Sequence, residues 1–171
     1  MAMMWVRGGP LRMRPLRADD GDRLCGLYAR LSPESVYRRF LGPMPKPRSD
    51  LLPRLLDVDH HDREAIAALE GDDIVAVARY LRPPGADVAE IALVVADAWQ
   101  RRGLGRLLMR RLGRLARRRG IRAFVGTIAG ENRAALLLVR SSGQGVSARW
   151  ASGEVEFEIP LGQHPSAQPG W

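Results

Sequence analysis

The chain predicts an α+β domain, a central mixed and mostly antiparallel sheet of about seven strands flanked by helices. Three observations carry that expectation. The stretch from Ala89 to Gly120 reads as an apolar strand, a glycine-rich turn and an amphipathic helix. Two strand-like runs before it flank the turn-rich tetrapeptide Glu70-Gly71-Asp72-Asp73, which makes an antiparallel hairpin. After it come another apolar run, a helix and a final hairpin. At 171 residues with 46% hydrophobic content, the chain suits a single core, and residues 11–161 are expected to form one domain between flexible ends at 1–10 and 162–171.

In order, Leu11 to Leu16 alternates and reads as an edge strand, where Pro15 is tolerated. Asp19 or Asp20 offers an N-cap for a helix through Leu24, Leu27 and Leu31. Ser32 then caps a second short helix with Pro33 at its first position, and Tyr37, Phe40 and Leu41 supply apolar surface. The proline-rich stretch from Gly42 to Pro47 cannot be helical. Ser49 or Asp50 is placed to cap a third short helix through Leu51, Leu52, Leu55 and Leu56. These helices together are positioned to line a substrate cleft.

The runs Glu64–Leu69 and Ile74–Leu81 form the hairpin, and Pro83-Pro84-Gly85 turns the chain into the strand that contains Ile91, Leu93, Val94 and Val95. Leu104, Leu107, Leu108, Leu112 and Leu115 share one face of the next helix. Arg122 to Ile128 is another strand, parallel to the one before because a helix connects them. Glu131-Asn132 opens a helix to Arg140, and Val146–Trp150 and Glu154–Ile159 close the domain as a hairpin.

The turn Gln100-Arg101-Arg102-Gly103-Leu104-Gly105 is where chemistry concentrates. A helix N-terminus has free N–H groups and the positive end of the helix dipole, so it binds anions, phosphate above all. Gly103 and Gly105 let a ligand approach the backbone, and Arg101, Arg102 and Arg106 add positive charge. A pyrophosphate fits there. A dinucleotide-binding turn would need glycine at 108, where Leu108 stands.

Composition excludes several classes. Cys25 is the one cysteine, which rules out an internal disulfide framework and a cysteine-based zinc cluster, and His60, His61 and His164 lack metal-ligand spacing, so no metal is expected. No signal sequence or membrane-spanning run is read, which leads to a cytoplasmic expectation with no membrane partner. The net charge of +8 predicts attraction to anions, although nearly all the basic residues are arginine and codon bias explains that equally well. The arginines of the central helix lack interleaved aromatics, so nucleic acid is not an expected partner.

The order strand, two short helices, three antiparallel strands, helix, strand, helix and terminal strands resembles the GCN5-related N-acetyltransferase (GNAT) family. The turn at 100–105 matches that family's Gln/Arg-x-x-Gly-x-Gly/Ala pyrophosphate motif, and Glu131-Asn132-Arg133 through Gly143 is similar to its following helix motif. Within the family, Leu31 to Pro43, Val75 to Tyr80 and Ala89-Glu90-Ile91-Ala92 resemble bacterial protein-lysine acetyltransferase domains of the Pat type. The resemblance spans most of residues 11–160. The family's aromatic acid on the last helix aligns with Val139, and its Gly-Phe with Gly143-Gln144, so no general acid carries over.

The resemblance implies acetyl-CoA as co-substrate and direct acetyl transfer to a primary amine, above all a protein lysine. A lysine amine, with pKa near 10.4, must lose a proton before it attacks the thioester. Glu90 corresponds to the catalytic glutamate of the Pat-type enzymes and is the expected base, its pKa raised by partial burial; a solvent-facing strand glutamate is the plain alternative. The backbone of Leu93, Val94 and Val95 is expected to hold the pantetheine arm, with a local bulge freeing an N–H for the thioester carbonyl. Asn132 is expected to reach the cofactor or to act only as an N-cap. Acetylation of a small amine and a catalytically silent binding module remain the competing functions, and the sequence leaves monomer or homodimer open.

Overall fold

The structure is a computed structural model that describes residues 2–6, 9–42, 51–143 and 145–162. Within these, eight strands form one sheet in the order β1-β2-β3-β4-β5-β6-β8-β7. They are β1 (Ala2–Val6), β2 (Gly9–Pro15), β3 (Arg63–Glu70), β4 (Asp73–Leu81), β5 (Val88–Val95), β6 (Ala123–Ala129), β7 (Ser147–Ala151) and β8 (Glu154–Pro160). Every neighbouring pair is antiparallel except β5–β6. The helices are α1 (Gly21–Ala29), α2 (Pro33–Phe40), α3 (Leu52–Leu56), α4 (Leu104–Arg118) and α5 (Arg133–Arg140).

The strand not foreseen in the sequence is β1. Residues 2–6 pair antiparallel with β2 from Ala2↔Met13 to Val6↔Gly9, which extends the sheet beyond the edge expected at Leu11. The β3–β4 hairpin turns through Gly71-Asp72, with Glu70 opposite Asp73 and Gly71 at φ +57°. The last turns through Ser152 and Gly153, both at positive φ (51° and 84°), the backbone of a tight turn whose twist suits two antiparallel strands.

The helices divide between the two faces. Tyr80 and Phe124 stack with ring centroids 5.9 Å apart on the α4 side, where a Cβ on Gly113 of α4 would lie 3.8 Å from the Phe124 ring. Leu104, Leu108, Met109, Leu112 and Ala116 are the buried residues of α4, each larger one contributing about 1.5–3 kcal/mol when removed from water. The opposite face carries α1 to α3, where Leu16, Leu24, Tyr28 and Leu55 enclose a small cavity with Val77, Arg79, Ala92 and Val94. Because strand residues alternate, Glu90 shares this second face with Ala92 and Val94, while Ile91, Leu93 and Val95 face α4 and α5.

Caps follow the sequence where a short polar side chain has nothing else to do. Ser32 accepts the Ser35 N–H at 3.2 Å, with Pro33 in the first turn. Asn132 accepts the Ala135 N–H at 3.1 Å. Asp20 occupies the N-cap position of α1 but makes no side-chain cap. Its fully buried carboxylate takes both Arg14 nitrogens at 2.6 Å and the Arg17 N–H at 2.9 Å instead. Of the two caps expected for the third helix, Ser49 and Asp50 lie outside the described residues.

Candidate active site

The parallel pairing of β5 and β6 lasts three residues: Val88↔Ala123, Ala89↔Phe124 and Glu90↔Val125. Beyond Glu90 the strands part. β5 stays in register with β4 as far as Val95↔Ala76, and β6 stays with β8 as far as Ala129↔Glu154. Backbone groups along a strand alternate between its two neighbours. The Ala96 N–H donates to the Val75 carbonyl at 2.9 Å, which assigns the even-numbered groups to β4 and turns those of Ile91, Leu93 and Val95 toward the split. The Ile91 carbonyl would lie 3.4 Å from a Cβ on Gly126, so the split opens just past that contact.

Two expectations change here. No register break interrupts β4–β5, so there is no bulge in β5, and the divergence of two strands supplies the free backbone edge instead. Val94 does not contribute to that edge: its main chain faces β4, and its side chain is buried against the α1–α3 face. Leu93 and Val95 are the residues that present backbone to the split.

Past β5, Asp97–Trp99 forms one 3₁₀ turn, and Arg101 (φ 57°) and Gly103 (φ 86°) then adopt the left-handed region. The first backbone bond of α4 runs from the Leu107 N–H to the Gly103 carbonyl at 3.2 Å, so the N–H groups of Leu104, Gly105 and Arg106 precede it and carry the dipole's positive end. Leu104 is 1% exposed; it offers its N–H and spends its side chain in the core. Arg101 and Arg106 are exposed, while the Arg102 guanidinium lies over the Trp99 ring, 5.0 Å from its centroid. Gly105 works chiefly in packing, a Cβ there meeting Leu93 and Leu138 at 3.2 and 3.3 Å.

The Gln100 amide nitrogen is turned into the protein. Its Nε2 donates toward the Val95 carbonyl at 3.1 Å, Ser35 Oγ at 3.0 Å and Asp97 Oδ1 at 3.1 Å. Asp97, which no motif in the sequence singles out, is the hub of this network. It accepts the Ser32 N–H at 2.8 Å, the Ser32 hydroxyl at 3.1 Å and the Ser35 hydroxyl at 2.5 Å. Burial pushes the Asp97 carboxyl up, yet these donors hold it below the ordinary carboxylate value.

Glu90 lies at the mouth of the split, level with Leu81 and Val125, and it is exposed. The partial burial expected of it is absent. Tyr80 donates its hydroxyl to the His61 carbonyl at 2.7 Å and accepts from Arg119 at 2.8 Å, so its hydroxyl is engaged within the fold. Val139, at the position aligned with the family's acid, is 5% exposed and apolar. No helix of the described residues is long and apolar enough to cross a membrane.

A sheet parted beside a glycine-rich helix start defines the class, and comparison with known proteins names it. The model of the Acetyltransferase (GNAT) family matches residues 33–143. An acetyltransferase of Pseudomonas aeruginosa, PA5475, is 35% identical over 138 residues, 76% of this chain and 74% of that protein. Acetyltransferase Pat of Mycolicibacterium smegmatis is 34% identical over 125 residues, 71% of this chain and 37% of that longer protein. The crystal structure of the GNAT domain of S. lividans PAT superposes with a TM-score of 0.85 at 32% identity, covering 93% of this chain and 96% of that one. The chain belongs to the GNAT family and is an N-acetyltransferase with acetyl-CoA as donor.

Proposed function

We propose that the protein transfers the acetyl group of acetyl-CoA to the side-chain amine of a protein lysine, with Glu90 as general base. The observation that carries this reading is the β5–β6 split, which puts three requirements on one strand. Glu90 stands at one end. The outward backbone groups of Leu93 and the Val95 N–H follow, the Val95 carbonyl being taken by Gln100 Nε2, and the helix start at Gly103–Arg106 lies beyond the other end. From Glu90 to Val95 the strand runs about 17 Å, a path for an extended thioester arm whose diphosphate meets the turn.

Acetyl-CoA supplies an activated acyl group and a thiolate leaving group whose conjugate thiol has a pKa of about 8.5, which leaves without a strong acid. That suits a site with Val139 where the family's acid would stand. Arg101, Arg106 and the N–H groups of Leu104, Gly105 and Arg106 would hold the diphosphate. The Leu93 and Val95 backbone would orient the arm. Glu90, exposed at the mouth, would take the amine proton directly or through one water. Asn132, whose Oδ1 is spent on its cap, keeps only its amide N–H groups for the ligand.

A protein acceptor is supported by the resemblance of residues 31–43, 75–80 and 89–92 to Pat-type domains and by the exposure of Glu90, which a side chain on another protein can reach. Incubation with radiolabelled acetyl-CoA and a cell lysate tests it. Label is expected in the protein fraction; label confined to small molecules would assign a small-amine acceptor instead.

A further inference from the structure

Asp97 joins two parts of the molecule that acetyl transfer would use together. On one side it receives the N-terminus of α2, through the Ser32 N–H and the hydroxyls of Ser32 and Ser35. On the other it receives Nε2 of Gln100, the residue that opens the phosphate-binding turn. The same Nε2 lies 3.0 Å from Ser35 Oγ, which closes the network.

The character of α2 gives this network weight. Its buried residue is Ser35, not an apolar side chain, and directional polar bonds fix its N-terminal half to the turn that follows β5. The outer side of α2 borders an open apolar groove lined by Leu31, Pro33, Val36, Tyr37 and Gly42, where Tyr37 is 49% exposed. The carboxylate sits at the positive end of α2's own dipole. Its charge is engaged there instead of opposing an anion at the α4 turn.

We propose that Asp97 is a positioning residue that ties α2, on the acceptor side, to the Gln100–Gly105 turn, on the acetyl-CoA side, so that filling the turn orders α2. The inference rests on the reading that the turn takes the CoA diphosphate. Asparagine at 97 keeps one acceptor oxygen where the carboxylate has two, so its amide nitrogen meets either the Ser32 N–H or the shared donors Ser32 Oγ, Ser35 Oγ and Gln100 Nε2 with no lone pair to offer. The turn then loses its fixed start, and α2 loses its attachment.

The full chain is titrated with CoA by calorimetry, and amide hydrogen exchange across residues 33–40 is followed with and without CoA. Wild type is expected to bind CoA and to slow exchange across residues 33–40 when it does. Asp97→Asn is expected to raise the CoA dissociation constant about ten-fold and to abolish that protection. Ser35→Ala is expected to weaken CoA a few-fold, Ser35→Thr to stay near wild type, and the double variant to be no weaker than Asp97→Asn alone, because the groups act as one unit.

Unchanged CoA affinity in Asp97→Asn, or a lowered melting temperature with unchanged affinity, overturns the proposal and leaves the acetyl-CoA reading intact. So does a wild type that binds CoA without protecting residues 33–40. A wild type that binds no CoA overturns both. Should Asp97→Asn not fold, Ser35→Ala against Ser35→Thr decides by the same two measurements.

Discussion

Leu93 and Gly105 meet so closely that a Cβ on residue 105 would stand 3.2 Å from Leu93 Cδ2. The strand that presents the free backbone and the helix that presents the free N–H groups are therefore set against each other by the missing side chain. Both contacts of that Cβ are with the tips of leucine side chains, which can shift. Gly105→Ala is expected to be nearly neutral in denaturant unfolding, since alanine's helix preference of about 1 kcal/mol offsets the crowding. Gly105→Val is expected to cost about 1–3 kcal/mol by overpacking.

Gly103 poses the opposite problem, open space and a demanding backbone. At φ 86° with nothing within 4 Å of its would-be Cβ, Gly103→Ala is expected to cost about 1 kcal/mol of stability through strain. If the turn takes the CoA diphosphate as proposed, a side chain at 103 crowds that ligand, so CoA affinity should fall. Gly71, at φ 57° in the β3–β4 turn and equally open, is the control. Gly71→Ala should lose comparable stability and keep CoA affinity, as calorimetric titration would show.

Glu90 is exposed and makes its register neighbours with Leu81 and Val125, not with a charged partner. Glu90→Gln should therefore leave the melting temperature and CoA affinity within error of wild type while lowering turnover about 10²–10⁴-fold, the range for loss of a general base. Turnover equal to wild type would remove Glu90 from the reaction.

Asp20 predicts the acid limit of the fold. Burial pushes its carboxyl up, but the Arg14 hydrogen bonds, the Arg17 N–H and nearby arginine charge outweigh that and hold it below its ordinary 3.8. A carboxyl lowered in the folded state adds stability that is complete above the unfolded value and is lost as pH falls through the folded one. Stability should therefore hold above about pH 4 and drop below it. Asp20→Asn, which leaves Arg14 facing a neutral group, should cost about 3–5 kcal/mol at pH 7 and flatten the acid slope.

The sequence disclosed what depends on neighbours within a few residues. The apolar stripe of α4, the Ser32 and Asn132 caps and both tight hairpins are local patterns, and each formed where it was read. Alternation along β5 told which side chains share a face, but not that β6 would leave after Glu90, because period two carries no information about a strand's lateral partner. Gln100 read as a ligand contact, yet its amide is bound to groups that include Ser35, 65 residues away. Asp97 meets Ser32 across the same span of 65. Gly8-Gly9-Pro10 broke the pattern that would have announced β1.

Three residues of parallel ladder join β1–β5 to β6–β8, so the sheet is built as two leaves along a short seam, with α4 bridging from the inner strands of one leaf to Phe124 of the other. A thioester arm lying in the seam would bond to the free edge of β5 and act as a removable stitch. A donor that binds the folded chain alone would then raise its stability against unfolding by RT ln(1 + [L]/Kd).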